Sequence, residues 1–253
     1  MDIVIIGSGN VAAVLGRKFK AAGHTILQVI SRNAKAASEL AYEWDTESSN
    51  YKSTINRQAD VYIVAVSDAA IAEMVDDLRL PGKVVAHTAA SVPKEVLQQV
   101  TGHFGVFYPL QSLRTEMPGL PDIPLYVEGS DEYTLAKLKS LAQSISPEKV
   151  AEADAESRTK LHIAAVLVSN FTNHLYKLAA DYCHRQGIDF RQLQPLIEET
   201  ALRLRTMSPG EAQTGPAIRQ DEETIQKHLD LLKNDPVLKE VYEQMSRSIR
   251  GTN

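Results

Sequence analysis

Residues 2–22 constrain the fold more than any other stretch. Asp2–Ile6 reads as an apolar strand too short for a helix, and Val11–Ala22 has helical periodicity and stops at Gly23. Between them lies Gly7-Ser8-Gly9-Asn10-Val11-Ala12, a G-x-G-x-x-A loop. The first glycine permits a tight turn, the second lets backbone approach a pyrophosphate, and the third position needs a small residue, for which Ala12 suffices. The N–H groups of Gly9, Asn10 and Val11 are expected to face phosphates at the positive end of the helix dipole. A merely tight turn needs one glycine, not two, so the spacing predicts a dinucleotide site.

The alternation continues. Thr25–Ile30, Asp60–Val66 and Lys83–His87 are further apolar strand patterns, and Asn33–Glu43 is a helix that Asn33 can cap. His103–Phe107 and Leu125–Glu128 are weaker strands, followed by an amphipathic helix at Asp131–Ile145. Strands apolar on both faces and separated by helices predict a parallel sheet covered on both sides. Beyond residue 152 no strand pattern remains. Asp154 can cap a long helix ending at Gly187, and helical stretches follow at Phe190–Met207, Asp221–Leu232 and Pro236–Ile249. The expected class is α/β: a doubly wound, mostly parallel sheet over residues 1–152, then a smaller all-helical domain over 153–253.

Composition narrows the partners. With 43% hydrophobic and 23% charged residues the chain is ordinary globular protein, and a net charge of −5 leaves no footprint for nucleic acid or anionic lipid. One cysteine, Cys183, excludes an internal disulfide and fits a reducing compartment. Neither a leader pattern nor an apolar run of membrane-spanning length is present, so a cytoplasmic protein is expected. His24, His103, His174 and His184 lack metal-ligand partners at useful spacing, and no metal is expected. There is no G-x-x-x-x-G-K-[ST] and no G-x-S-x-G.

Cofactor choice turns on the end of the second strand, Ser31-Arg32-Asn33. An NAD site places a carboxylate there for the ribose 2′-OH. Here none is present, and the Arg32 fork suits a 2′-phosphate, with Ser31 and Asn33 as polar neighbours, so NADP is the expected cofactor. On the nicotinamide side, Val66-Ser67-Asp68 and His87-Thr88-Ala89-Ala90-Ser91 follow strands and leave room for a ribose and ring, while Phe107-Tyr108-Pro109-Leu110-Gln111 could wall the pocket. Val66, Ser67 and Thr88 are thus expected cofactor contacts. His87 is either an active-site residue or a structural hydrogen-bonding one.

On the long helix, His162, Ser169, Asn170, Asn173 and Lys177 fall in one arc at 100° per residue. The stripe is a solvated face, a seam between subunits or the wall of a substrate cleft. In the last case His162 would protonate the atom formed when hydride adds to C=O or C=N, with Asn170 orienting. Thr214-Gly215-Pro216-Ala217-Ile218-Arg219-Gln220-Asp221 leads into a helix that Asp221 can cap. Arg219 either pairs with Asp221 or clamps a substrate anion.

Taken in order, Ile5-Ile6-Gly7-Ser8-Gly9-Asn10-Val11-Ala12, His87-Thr88-Ala89-Ala90-Ser91, Phe107-Tyr108-Pro109-Leu110-Gln111, His162-Ile163-Ala164-Ala165 through Ser169-Asn170, and Thr214 through Asp221 resemble bacterial Rossmann-like proteins with a C-terminal helical domain of unknown function. These are distant relatives of pyrroline-5-carboxylate reductase and of the 6-phosphogluconate and 3-hydroxyisobutyrate dehydrogenases. The resemblance spans the chain and implies an NADP-binding domain and a helical domain that mediates homodimers. The chain departs from the family's Ser-Gly at Ala89-Ala90 and from its Arg-Gly-Asp at Arg219-Gln220-Asp221. Two functions follow as expectations: an NADPH-dependent reductase of a small, anionic carbonyl or imine, or a non-catalytic NADP-binding sensor or assembly protein.

Overall fold

Alternate residues of the first strand face opposite sides, and both sides are apolar. Ile3 and Ile5 of β1 (Asp2–Ile6) enter one core, and Val4 and Ile6 enter another. In a computed structural model describing residues 1–116 and 119–251, helices cover both faces, which is why the strand reads as an unbroken apolar run. The element order is β1, α1 (Asn10–Ala21), β2 (Thr25–Ile30), α2 (Ala34–Trp44), β3 (Glu47–Ser49), β4 (Val61–Val64), α3 (Asp68–Val75), β5 (Val84–His87), β6 (His103–Pro109), β7 (Leu125–Gly129), α4 (Glu132–Ile145), β8 (Val150–Glu152), α5 (Ala155–Ala165), α6 (Thr172–Arg185), α7 (Gln194–Arg203), α8 (Glu222–Leu231) and α9 (Pro236–Gly251).

The sheet runs β3-β2-β1-β4-β5-β6-β7-β8, and only the β6–β7 pair is antiparallel. The order reverses between β1 and β4. That is the switch point where ligands of doubly wound sheets bind, outside the carboxyl ends of the strands. On one face α1, α2 and α4 contribute Leu15, Phe19, Leu40, Trp44, Leu138 and Leu141; on the other α3 contributes Met74 and Val75.

Local chemistry sets several boundaries as expected. Asn33, Asp131, Asp154 and Asp221 each accept a backbone N–H from three residues on, capping α2, α4, α5 and α8. Gly187, at φ +70°, follows α6. Three expectations need correction. The three-residue strands β3, with its polar Glu-Ser-Ser, and β8, Val-Ala-Glu, are paired to the sheet through their backbones and are too short to announce themselves as apolar runs. The long helix is interrupted by a π turn, Val166–Phe171, which resets its rotation, so the polar arc reckoned at a uniform 100° does not continue through Asn173 and Lys177. Phe190–Met207 splits into a 3₁₀ turn and α7, because Asp189 caps the turn by accepting from Arg191 N–H.

The chain divides into two compact units, Met1–Asn170 and Phe171–Asn253. No helix among the described residues is long and apolar enough to cross a membrane.

Candidate functional site

At the switch point lies a cavity of about 630 Å³, within the range of small-molecule sites. Its lining includes Gly7, Ser8 and Gly9 from the first turn, Ser31, Arg32 and Asn33 from the end of β2, and Val66 and Ser67 from the end of β4. Segments distant in sequence thus converge because three parallel strands end side by side.

The two glycines are required for different reasons. Gly7 has φ +127°, and a Cβ there would sit 2.1 Å from the Ala65 carbonyl oxygen, so both the backbone and its neighbour exclude a side chain. A Cβ on Gly9 would meet no atom within 4 Å. The folded chain does not need glycine at that position; a ligand pressed against the backbone does. Gly9 also precedes α1 without any side-chain cap, which leaves the first N–H groups of the helix for an anion. Among the described residues, those of the cavity therefore fit a dinucleotide pyrophosphate.

The rim is ordered by short polar contacts. The Ser8 and Ser31 hydroxyls are 2.8 Å apart, and the Asn33 N–H donates to Ser31 Oγ at 3.2 Å. Arg32 donates through one nitrogen to both Glu73 oxygens at 3.2 Å. Asn10 and Val11 do not line the cavity, and the Asn10 side chain turns away: its Oδ1 accepts from the Thr115 N–H and hydroxyl at 3.0 and 2.8 Å. Thr88 also lies off the cavity lining. It is nearly buried and donates its N–H to the Val64 carbonyl at 3.2 Å.

His87 is fully buried at the end of β5. The Ala89 N–H donates to its Nδ1 at 3.2 Å, so the proton resides on Nε2, which has no hydrogen-bond partner. Burial, assisted by the Arg158 charge, pushes the imidazole down to about 4, against the opposing effects of the Pro93 backbone, Glu128 and Glu95. With Nδ1 accepting from the loop backbone and the ring enclosed, the geometry suits the structural alternative. Arg158 itself is fully buried and donates to the carbonyls of Ala90, Val92 and Ala153 and to Glu128, which also pairs with Lys94. Burial alone would raise the Glu128 carboxyl; Lys94 and Arg158 more than offset it and hold it low. This network fixes the loop after β5 against β7 and the start of α5.

His162 is exposed on α5, and its Nδ1 lies 3.1 Å from the hydroxyl of Tyr108, near the carboxyl end of β6. The rings meet edge to face at 6.4 Å. Burial and the Asp68 carboxylate raise the Tyr108 phenol, which therefore stays protonated and can donate to Nδ1. Asp68 begins α3 directly after Ser67 of the cavity. Asn170 is exposed within the π turn. Arg219 is exposed in the helical unit and forms no close ion pair with Asp221, one of its two alternatives; its charge only assists in holding Asp221 low, after the Thr224 backbone and hydroxyl. The residue between them, Gln220, has φ +56°, a conformation glycine adopts without strain.

Sequence reasoning missed Asn50, Tyr51, Lys52, Glu73 and Met74 of the cavity, and Tyr108 as the partner of His162. The cavity residues follow β3 or lie on α3, and become predictable only once the polar strand β3 is seen to end at the same sheet edge.

Two family models match the sequence: NADP oxidoreductase, coenzyme F420-dependent, over residues 2–91, and the domain of unknown function DUF2520 over residues 123–249. A protein of Bacteroides fragilis provisionally assigned as an NADP oxidoreductase is 39% identical over 99% of this chain and 98% of its own, with a TM-score of 0.91. The fold extends to a 1-pyrroline-5-carboxylate reductase of Streptococcus pyogenes (14% identity, 99% and 98% coverage, TM-score 0.66) and to an imine reductase of Myxococcus stipitatus in complex with NADP+ (15%, 99% and 93%, 0.67). No functionally curated protein matches the sequence. The chain belongs to the NADP oxidoreductase family that joins an F420-dependent-type NADP-binding Rossmann domain to a C-terminal DUF2520 domain.

Proposed function

We propose that the protein is an NADPH-dependent reductase acting on a small, anionic carbonyl or imine. The observation that carries this reading is the cavity at the switch point, with its two glycines, uncapped helix and guanidinium at the end of β2. Gly7, Ser8 and Gly9 would hold the pyrophosphate, and Ser31, Arg32 and Asn33 the 2′-phosphate. When bound, the cofactor supplies a hydride.

The chain supplies the proton. In this reading His162 acts as the imidazolium: its Nδ1–H donates to the Tyr108 oxygen, which orients the ring, and its Nε2–H is the proton given to the substrate, leaving a neutral imidazole. Asn170 orients the substrate, and within the helical unit Arg219 is an exposed guanidinium available to an anionic group. His87 and the Arg158 network hold the loop after β5 in place. The fold neighbours named for imine and pyrroline-carboxylate reduction support a C=N substrate carrying a carboxylate.

The test is NADPH oxidation against cyclic imino acids, 2-keto acids and aldehydes. His162→Gln is expected to lower kcat about a hundredfold, as loss of a general acid does. Tyr108→Phe should shift the pH profile of kcat, and Arg219→Met should raise KM. Tight NADPH binding without turnover of any substrate would instead support the sensor reading.

We further propose that the helical unit pairs with a second copy of the chain. Leu231, Leu196, Val237 and Leu202 there are 70%, 64%, 58% and 49% exposed, apolar side chains that a partner copy would cover. Sedimentation equilibrium distinguishes a dimer from a monomer.

A further inference from the structure

The cavity holds a second cation and an anion that the glycine-loop argument does not use. Lys52 lines it beside Ser31, Arg32 and Asn33, and its Nζ donates to the Glu73 backbone carbonyl at 3.1 Å. Lys52 has no carboxylate within ion-pair distance among the described residues. The Glu73 carboxylate lies on Arg32, each oxygen 3.2 Å from the same guanidinium nitrogen. The cavity edge thus has two cations and one built-in anion, and the anion occupies one cation.

A 2′-phosphate carries nearly two charges and several acceptor oxygens, more than one guanidinium neutralises. Exposed carboxylate pairs are weak, and both Arg32 and Glu73 are largely exposed (69% and 72%), so a phosphate can displace the carboxylate. A ribose 2′-OH cannot, because it brings no charge to compete for the guanidinium. Resting on the NADP reading above, we propose that Lys52 is the second cation of the 2′-phosphate subsite and that Glu73 is its resident competitor. Glu73 keeps Arg32 extended toward the subsite in the free chain and lowers affinity for the phosphorylated cofactor. Lys52, tethered through the Glu73 carbonyl, is poised to take the phosphate oxygens that Arg32 does not reach. The ratio of NADPH to NADH affinity is then set by the balance of these three side chains.

The experiment is fluorescence titration of NADPH and NADH, with 2′,5′-ADP and 5′-ADP as competitors, on wild type, Lys52→Met and Glu73→Gln, each checked for an unchanged melting temperature. Lys52→Met should weaken NADPH and 2′,5′-ADP by about tenfold, the loss of one charge-assisted phosphate contact. It should leave NADH and 5′-ADP unchanged. Glu73→Gln should tighten NADPH several-fold and leave NADH unchanged, a gain that a merely structural Glu73 would not produce. If wild type prefers NADPH but Lys52→Met weakens both cofactors alike, or Glu73→Gln weakens NADPH, this assignment falls and the NADP reading stands. If wild type binds NADPH no better than NADH, both fall.

Discussion

The two compact units solve the burial problem differently. In Met1–Asn170, β1, β2, β4, β5, β6 and β7 contribute fully buried side chains, and two apolar layers enclose the sheet. In Phe171–Asn253 the described buried residues reduce to Cys183, Ala217, Ile225, Leu232 and Ser246, while several leucines stay exposed. Each fully buried leucine or isoleucine adds about 1.5–3 kcal/mol. The first unit thus encloses a large apolar core beneath its cofactor cradle, whereas the second buries few apolar residues, and the proposed pairing with a second copy would cover some of those left exposed.

Perturbing the buried network of the first unit should cause the largest loss. Arg158→Met strands three backbone carbonyls and reduces the pairing of Glu128, and is expected to cost about 3–5 kcal/mol in urea unfolding, independent of protein concentration. A concentration-dependent loss would mean that this unit too relies on a partner.

Acid should act on the same unit next. The His87 imidazole falls from 6.5 unfolded to about 4 folded, so between those values the unfolded chain binds the extra proton. Its contribution is complete above pH 6.5 and lost as pH falls toward 4, a loss on the order of 3 kcal/mol. His24, lowered by burial and by the terminal amino group, adds in the same direction. His87→Gln should flatten most of the slope of stability between pH 6.5 and 4.5.

The helical unit should respond through assembly. Leu231→Ser is expected to weaken the proposed dimer by about 2 kcal/mol, some thirtyfold in dissociation constant, by sedimentation equilibrium. Unchanged association would place the interface elsewhere. The smallest effect belongs to Gln220→Gly, which relieves the left-handed backbone and should stabilise the helical unit by about 1 kcal/mol in thermal unfolding.

The same contrast explains what could be read from sequence. Val4, Ile5 and Ile6 betray their strand because both neighbours of the sheet must be apolar, and Asn33, Asp131, Asp154 and Asp221 betray helix starts because an Asx side chain satisfies nearby N–H groups locally. The strand Glu47–Ser49 is held by backbone pairing, which its side chains do not record, so Lys52 and the cavity edge beyond it were hidden. Tyr108 and His162 meet across 54 residues of sequence, and neither carries a local sign of the other. The π turn altered the helical rotation that the polar stripe assumed. The Gln220 departure from the family's glycine was visible as letters, but its strain required the backbone angle.

The central claim is that the glycine turn and the end of β2 together form a site for a 2′-phosphorylated dinucleotide. The most direct measurement is calorimetric titration of the wild-type chain with NADPH and with NADH under identical salt. NADPH should bind at least about tenfold more tightly, the worth of one guanidinium–phosphate contact, and Arg32→Met should abolish the difference. Equal affinities for the two cofactors, or no binding of either, would contradict it.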